Sequence, residues 1–314
     1  MGESDKKSKV VDLFCGCGGL SKGLELAGFE LVAAFDINPK AIECYKKNFS
    51  HPVTKQDISQ ITDTVKKIEA FNPDIIVGGP PCQDFSLAGK RVEGARAMMT
   101  VRYAEIIQRI KPQFFIMENV ANAKKSETYK MAKEKFVEAG YALTEQILDA
   151  SYFEVPQRRK RFVVVGYLGE ENDQFLLEYL NKRASDTSLT VKDLFPDFPI
   201  QFYYRHPRTY ERRAVFSIEE PAPTIRGVNR PRPDNYRVHR NDKSASEDVR
   251  ALSYKERALI QTFPETFQWP KLSKSDLEQM IGNAVPVNFA KNIGLALLDY
   301  MVEKGLKQEK TTAH

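Results

Sequence analysis

Residues 9–28, KVVDLFCGCGGLSKGLELAG, decide the fold. An apolar, β-branched run gives way to a glycine cluster and then to an amphipathic stretch, which reads as strand, tight turn and helix. Glycines at such a turn let the backbone approach a ligand and leave helix N–H groups aimed at it. Gly16, Gly18 and Gly19 are followed by Ser21 where a dinucleotide binder carries its third glycine, so a pyrophosphate cradle is disfavoured.

The same alternation continues outward. Strands are expected at 9–14, 30–35, 74–78, 113–118, 142–148 and 161–167, and helices near 19–27, 39–48, 58–70, 101–110 and 127–139, the pattern of a parallel sheet covered by helices. Asn38 is the expected N-cap of the second helix, with Pro39 in its first turn. After Gly169 the rhythm is lost. Residues from about 181 to 270 are rich in Pro and Arg and are assigned to a second, irregular or β-rich unit, and the chain turns helical again after GNAVP (282–286). The expected divisions are 1–180, 181–271 and 272–314.

With 314 residues and 42% hydrophobic content, the chain can bury a full core. No run approaches the ~18 apolar residues of a membrane span, and the charged MGESDKKSK start lacks a secretory core, so a cytoplasmic protein without membrane association is expected. Lys6 stands where a myristoylation signal needs Ser or Thr. Four cysteines (Cys15, Cys17, Cys44 and Cys82) include no second close pair to complete a zinc site, so neither metal nor disulfide is expected. The net charge is +5, and the whole excess lies between Gln201 and Arg240, where nine arginines face four acids. Tyr203, Tyr204, Tyr210 and Tyr236 are interleaved with them, as phosphate forks and base-stacking rings would require, so the expected partner is a polyanion.

Acidic residues end successive strands. Asp36 in FDIN can accept hydrogen bonds from both ribose hydroxyls of a nucleoside, and Asp57 in QDIS can take an adenine amino group. That pair suits an adenosine ligand without a pyrophosphate, such as S-adenosylmethionine. Cys82 in GGPPCQDFS (78–86) follows the strand at 74–78, which puts it on the same rim of the sheet. Inert buried cysteines sit inside strands or helices rather than after Pro-Pro in a glycine-flanked loop, so Cys82 reads as a nucleophile. Glu118 in MENV ends the next strand, and QRRKR (157–161) places Arg159 and Arg161 on one side of another. These groups fit one chemistry. Cytosine C5 accepts a methyl group only after a nucleophile adds at C6, and a thiolate can do so. A carboxyl group near N3 and an arginine at the O2 edge would stabilise charge building in the ring. The base must leave the duplex stack to be reached.

DLFCGCGGLS (12–21), FDIN (35–38), GGPPCQDFS with AGKR (88–91), ENV (118–120), QRRKR, LSYKERALIQTFP (252–264) and GNAVPV (282–287) run in one order along the chain. In that order they closely resemble the motifs of the cytosine-5 DNA methyltransferases, above all the bacterial modification enzymes of restriction-modification systems. The resemblance implies an α/β fold, a Rossmann-like S-adenosylmethionine-dependent sheet with a smaller target-recognition domain, acting on double-stranded DNA beside a functionally paired endonuclease. It implies that Cys82 is the nucleophile, that Glu118, Arg159 and Arg161 bind and activate cytosine, and that Asn119 fixes the site. Phe14, Gly16, Gly18, Gly19, Leu20, Asp36, Ile37, Asp57, Ile58, Pro80 and Asn283 would surround the methyl donor. The loop from Gln83 to about Thr100 would close over DNA, with Gln83, Ser86, Lys90 and Arg91 touching it and Arg226, Arg230 and Arg232 joining from the variable region. EEPAPTIRGVNRPRP (219–233) resembles the family's hinge segment. The chain departs from the family after AGKR, where Ala95-Arg96 replaces the frequent Asp-x-Arg. Two rivals share the fold. A tRNA cytosine-5 methyltransferase usually carries Cys-Phe-Thr in its target region, but no cysteine follows Cys82. A catalytically inactive DNA-binding regulator would be expected to have lost that nucleophile.

Overall fold

The structure, a computed structural model, describes residues 7–81, 98–209 and 211–307. Its first half is built from β1 (Lys9–Leu13), α1 (Gly19–Ala27), β2 (Glu30–Asp36), α2 (Pro39–Asn48), β3 (Val53–Lys55), α3 (Ile61–Glu69), β4 (Ile75–Gly78), α4 (Met98–Ile110), β5 (Phe114–Val120), α5 (Glu127–Glu138), β6 (Tyr141–Asp149), β7 (Gln157–Arg158) and β8 (Lys160–Leu168). Seven of these strands form one sheet in the order β3-β2-β1-β4-β5-β8-β6. Neighbours from β3 to β5 are parallel, while β8 runs antiparallel to both β5 and β6.

Both faces of this sheet are covered, which is why its strands are continuous apolar runs rather than alternating ones. Along β1, Val10 faces a core shared with Leu24 of α1, while Val11 faces the opposite core with Ile61 and Tyr103. The N-cap reading holds at Asn38, whose side chain accepts from the Lys40 N–H. The third helix starts later than expected because Asp57 turns the chain first, its carboxylate accepting from the Ser59 N–H and its carbonyl from the Gln60 N–H.

The second half contains α6 (Leu177–Arg183), α7 (Val191–Leu194), β9 (Phe202–Tyr204), β10 (Val215–Ser217), β11 (Ala222–Pro223), α8 (Tyr254–Ile260), α9 (Lys274–Asn283) and α10 (Val287–Glu303). Its strands are short: β9 and β10 pair antiparallel, and β11 pairs parallel with β7 of the first half. The region shares a core with the first half, since Tyr203, Phe216 and Phe263 belong to one apolar cluster with Cys17, Cys44 and Phe49. Tyr203 and Tyr204 are buried. Tyr203 belongs to this core and Tyr204 to a separate small cluster with Ala214, Val215 and Val249, which corrects the expectation that they stack on bases. Helix α10 returns to the sheet and packs on α1 at glycines. A Cβ on Gly23 would stand 2.4 Å from both the Ala290 Cβ and the Val287 carbonyl oxygen.

Candidate active site

In the strand order β2-β1-β4, the direction of sequence advance reverses between β1 and β4. Open α/β sheets bind ligands in the crevice that such a reversal opens at the carboxyl ends of the strands. A cavity of about 340 Å³ lies there. Phe14, Gly16, Gly19, Leu20, Asp36, Ile37, Pro80 and Asn283 of the expected donor-binding set line it, together with Glu118, Asn119, Arg159 and Arg161.

The glycine turn and the end of β2 hold each other. The Gly16 N–H donates to Asp36 Oδ2 at 2.8 Å, and the Asn38 N–H donates to Oδ1 at 2.7 Å. Burial raises the Asp36 pKa, opposed by backbone donors from Asn38, Gly16 and Ile37. Gly16 has φ 55°, and a Cβ there would meet nothing within 4 Å, so the turn stays open to the cavity. Gly18 is not among the lining residues. Its Cβ position lies 2.4 Å from the Phe49 ring, and that of Gly19 lies 2.2 Å from the Val285 carbonyl oxygen. Close packing, not a ligand, accounts for glycine at 18. Asp57 and Ile58 also stand outside the lining: Asp57 caps its turn, and Ile58 is buried beside Phe35 and Ile61. Ile37 is 59% exposed, an apolar side chain presented at the cavity.

Asp12 was not singled out by the sequence reading, although a carboxylate inside the apolar run KVVDLF was its available signal. It is fully buried, lines the cavity, and accepts a 2.5 Å hydrogen bond at Oδ2 from the Ser21 hydroxyl. The Tyr45 hydroxyl donates to Ser21 Oγ at 2.7 Å and lies 2.8 Å from His51 Nε2. Asp12 Oδ1 has no partner among the described residues. Burial, against the Ser21 hydrogen bond, pushes the Asp12 pKa up to about 7.

Glu118 at the end of β5 faces Arg161 on β8, with Nε 2.9 Å from Oε1. Antiparallel pairing brings these two strand ends together, since Val120 lies opposite Arg161. Asn119 is 2% exposed and ties the end of β5 to the chain at Pro80: its Nδ2 donates to the Pro80 carbonyl at 3.2 Å, and its Oδ1 accepts from the Val120 N–H at 2.8 Å. Arg159 lines the cavity while its guanidinium donates to the carbonyls of Ile225 (2.9 Å), Gly282 (3.2 Å) and Ala284 (2.9 Å). The neighbouring Gln157 bridges the Ile225 N–H and Gln261. Cys82, Gln83, Ser86, Lys90, Arg91 and Tyr210 lie outside the described residues.

A second, open cleft of about 1200 Å³ adjoins the cavity. Arg205, Arg208, Arg212, Arg213, Arg226, Arg240 and Lys243 line it, and Val120, Arg161, Gly282 and Asn283 belong to both spaces. Burial and the nearby Arg226 lower the Arg205 pKa to about 10, as expected for a buried cation among other cations. Of the three individually expected arginines, only Arg226 lines the cleft. Arg232 donates to the Ser246 and Glu247 carbonyls and lies over the Tyr236 ring, and Arg230 is exposed elsewhere. Sequence charge located the segment, but the residues facing inward depend on loop geometry. Among the described residues, no group of His, Cys, Asp and Glu could hold a metal ion, and no helix is long and apolar enough to cross a membrane.

A sheet with a switch-point cavity, a carboxylate–arginine pair at its mouth and a basic cleft beyond defines a group-transfer enzyme acting on a polyanion. The family model described as C-5 cytosine-specific DNA methylase matches residues 8–299. The Type II methyltransferase M.HindV of Haemophilus influenzae is 51% identical over 299 residues, spanning 94% of this chain and 98% of that protein. M.HgiDI of Herpetosiphon aurantiacus is 48% identical over 303 residues, with 96% and 97% covered. Among solved structures, the S. pombe Dnmt2 methyltransferase shares the fold with a TM-score of 0.69 at 20% identity, over 95% of this chain and 99% of that one. The chain belongs to the C-5 cytosine-specific DNA methylase family and is a DNA cytosine-5 methyltransferase of the restriction-modification type.

Proposed function

We propose that the enzyme methylates C5 of a flipped-out cytosine in a specific duplex sequence, using S-adenosylmethionine, and so protects DNA from a paired endonuclease. The observation that carries this reading is the junction of the two spaces. Arg161 and Asn283 border both the cavity and the basic cleft, so a base swung out of a duplex in the cleft would meet the donor there. The cavity fits the donor on three counts. Asp36 is anchored as a ribose acceptor, Ile37 offers an apolar surface to adenine, and the unpartnered Asp12 Oδ1 suits the ammonium of an amino-acid moiety. When bound, S-adenosylmethionine supplies an electrophilic methyl group on a sulfonium.

Within that reading, the Cys82 thiolate adds to C6, forming the S–C6 bond and placing the electron pair toward C5. Glu118 holds a proton at N3, and Arg161, paired with it, stabilises negative charge at O2. Once C5 carries the methyl group, it loses its proton to a base and the S–C6 bond breaks, restoring the thiolate. Asn119 positions the Cys82 loop, and Arg159 joins the catalytic unit (1–180) to the recognition unit (181–271) and the returning segment (272–314). Duplex DNA containing 5-fluorocytosine should trap a covalent adduct that requires the donor and is lost in Cys82→Ser. Tritium transferred from the donor to tRNA but not DNA, or an adduct surviving the substitution, overturns the proposal.

A further inference from the structure

Two acids, Glu211 and Asp242, line the basic cleft, and the placement of Asp242 is not explained by its charge. Asp242 lines the wall beside Arg240 and Lys243, where a carboxylate facing a polyanion would weaken binding. Four donors converge on it. Oδ1 accepts from the N–H groups of Ala214 (2.9 Å) and Val215 (2.9 Å), and Oδ2 accepts from the Tyr236 hydroxyl (2.7 Å) and the His239 N–H (2.8 Å). A carboxylate has about four lone-pair sites, so this one is saturated and has none left for a cytosine amino group or any other base edge. None of its four partners is a cation. Burial raises its pKa, but the Tyr236 hydroxyl and the backbone donors outweigh that, leaving a net lowering.

Those donors come from two separate stretches of chain. Ala214 precedes Val215, the first residue of β10, and its carbonyl accepts from the Arg205 N–H at 2.7 Å, so this stretch carries Arg212 and Arg213 and holds Arg205. His239 belongs to a turn closed by the Asp242 N–H on its carbonyl at 2.8 Å, and that turn presents Arg240. The Tyr236 ring packs edge-on against Tyr204 of β9 at 5.4 Å and lies under Arg232 at 5.4 Å. Together with the Lys243 N–H on the Val215 carbonyl (3.2 Å), this carboxylate ties the two arginine-bearing stretches to each other.

We propose that Asp242 is a positioning residue for target recognition: it touches no DNA, and it sets the separation of the Arg205–Arg213 and Arg240 walls that read the target sequence. The inference rests on the cleft being the DNA site. Isosteric D242N turns one acceptor atom into a donor. The Tyr236 hydroxyl can rotate to suit it, but a backbone N–H cannot, so at least one link is lost without a change of volume.

The test compares wild type, D242N and Y236F by bisulfite sequencing of methylated plasmid, by initial rates on the target duplex and its single-base-pair variants, and by S-adenosylhomocysteine binding. A changed base pair ordinarily costs about tenfold or more in binding. For D242N, discrimination should fall by about tenfold and KM for DNA should rise, while kcat at saturating DNA and S-adenosylhomocysteine affinity stay near wild type. Y236F, which deletes one donor of four, should shift in the same direction by less. Wild-type discrimination and KM in a folded D242N overturn the inference, as does wild-type discrimination in Y236F if D242N does not fold. A wild-type protein that methylates no DNA cytosine refutes the underlying function instead, so the two failures are distinguishable.

Discussion

Arg159 and Arg161 stand two residues apart in one motif, yet their guanidinium groups act differently. Arg159 satisfies three main-chain carbonyls in a closed joint, and Arg161 meets Glu118 where cavity and cleft join. Truncating Arg159 takes a donor from the Ile225 and Gly282 carbonyls at ~1–3 kcal/mol each, while the Ala284 carbonyl keeps Gln261 Nε2, so Arg159→Met should lose about 3 kcal/mol or more in urea unfolding. Arg161→Lys should melt close to wild type but lose roughly a hundredfold or more in kcat, the scale for removing one charge-stabilising donor. Equal stability losses in the two variants contradict this division. Asp12 makes a different prediction. Its pKa rises from the ordinary carboxyl value of 3.8 to about 7 on folding, so the native state holds its proton more tightly than the unfolded chain. A raised folded pKa gives stability that is complete below about pH 4 and is lost as pH climbs through about 7. Asp12→Asn cannot ionise, so its unfolding free energy relative to wild type should improve between pH 4 and pH 8 with no ligand present. A difference that does not change with pH rules out titration of Asp12 in that window.

At the scale of elements, α9 meets the hinge with no space to spare. A Cβ on Gly282 would lie 2.2 Å from the Arg226 carbonyl carbon and 2.3 Å from the Gly227 nitrogen, both backbone atoms that cannot swing away. Overpacking of this kind costs about 1–3 kcal/mol. Gly282→Ala should therefore lower the melting temperature and raise KM for DNA, because the residue that moves, Arg226, lines the cleft; a variant with unchanged KM for DNA detaches the hinge from DNA binding. Close approach also explains what the glycine-rich turn concealed. Periodicity reports burial and so makes the strand, turn and helix legible, but Gly18 answers to the Phe49 ring, 31 residues further along the chain and outside any local pattern. β3, with three residues, is too short for alternation to register, and β7 and β11 pair across the two halves, a contact no local pattern encodes. Catalytic motifs were legible because chemistry restricts residue type. Which partners the arginines of QRRKR meet, the Ile225, Gly282 and Ala284 carbonyls for Arg159 and Glu118 for Arg161, depends only on the folded chain.

Across the whole molecule, charge and shape divide the labour between two adjoining spaces. The net charge of +5 equals the excess carried between Gln201 and Arg240, and that segment supplies most of the cations lining the open cleft. The switch-point cavity instead carries Asp12, Asp36, Glu118 and Asp276 against Lys40, Arg159 and Arg161, beside apolar surface. Salt should therefore act on one ligand and spare the other. Each phosphate neutralised by an arginine releases a condensed counterion, giving a slope of about −0.9 per contact in log affinity against log salt. Exposed Arg212 and Arg240 line opposite walls, and Arg212→Ala or Arg240→Ala should each flatten the slope by about 1 if it meets a phosphate. An arginine that reads a base should instead weaken binding mainly to duplexes carrying that base. S-adenosylhomocysteine affinity, measured over the same salt range, should hold nearly constant in all three proteins. A comparable salt dependence for both ligands would mean that the basic cleft and the donor cavity do not act as separate sites.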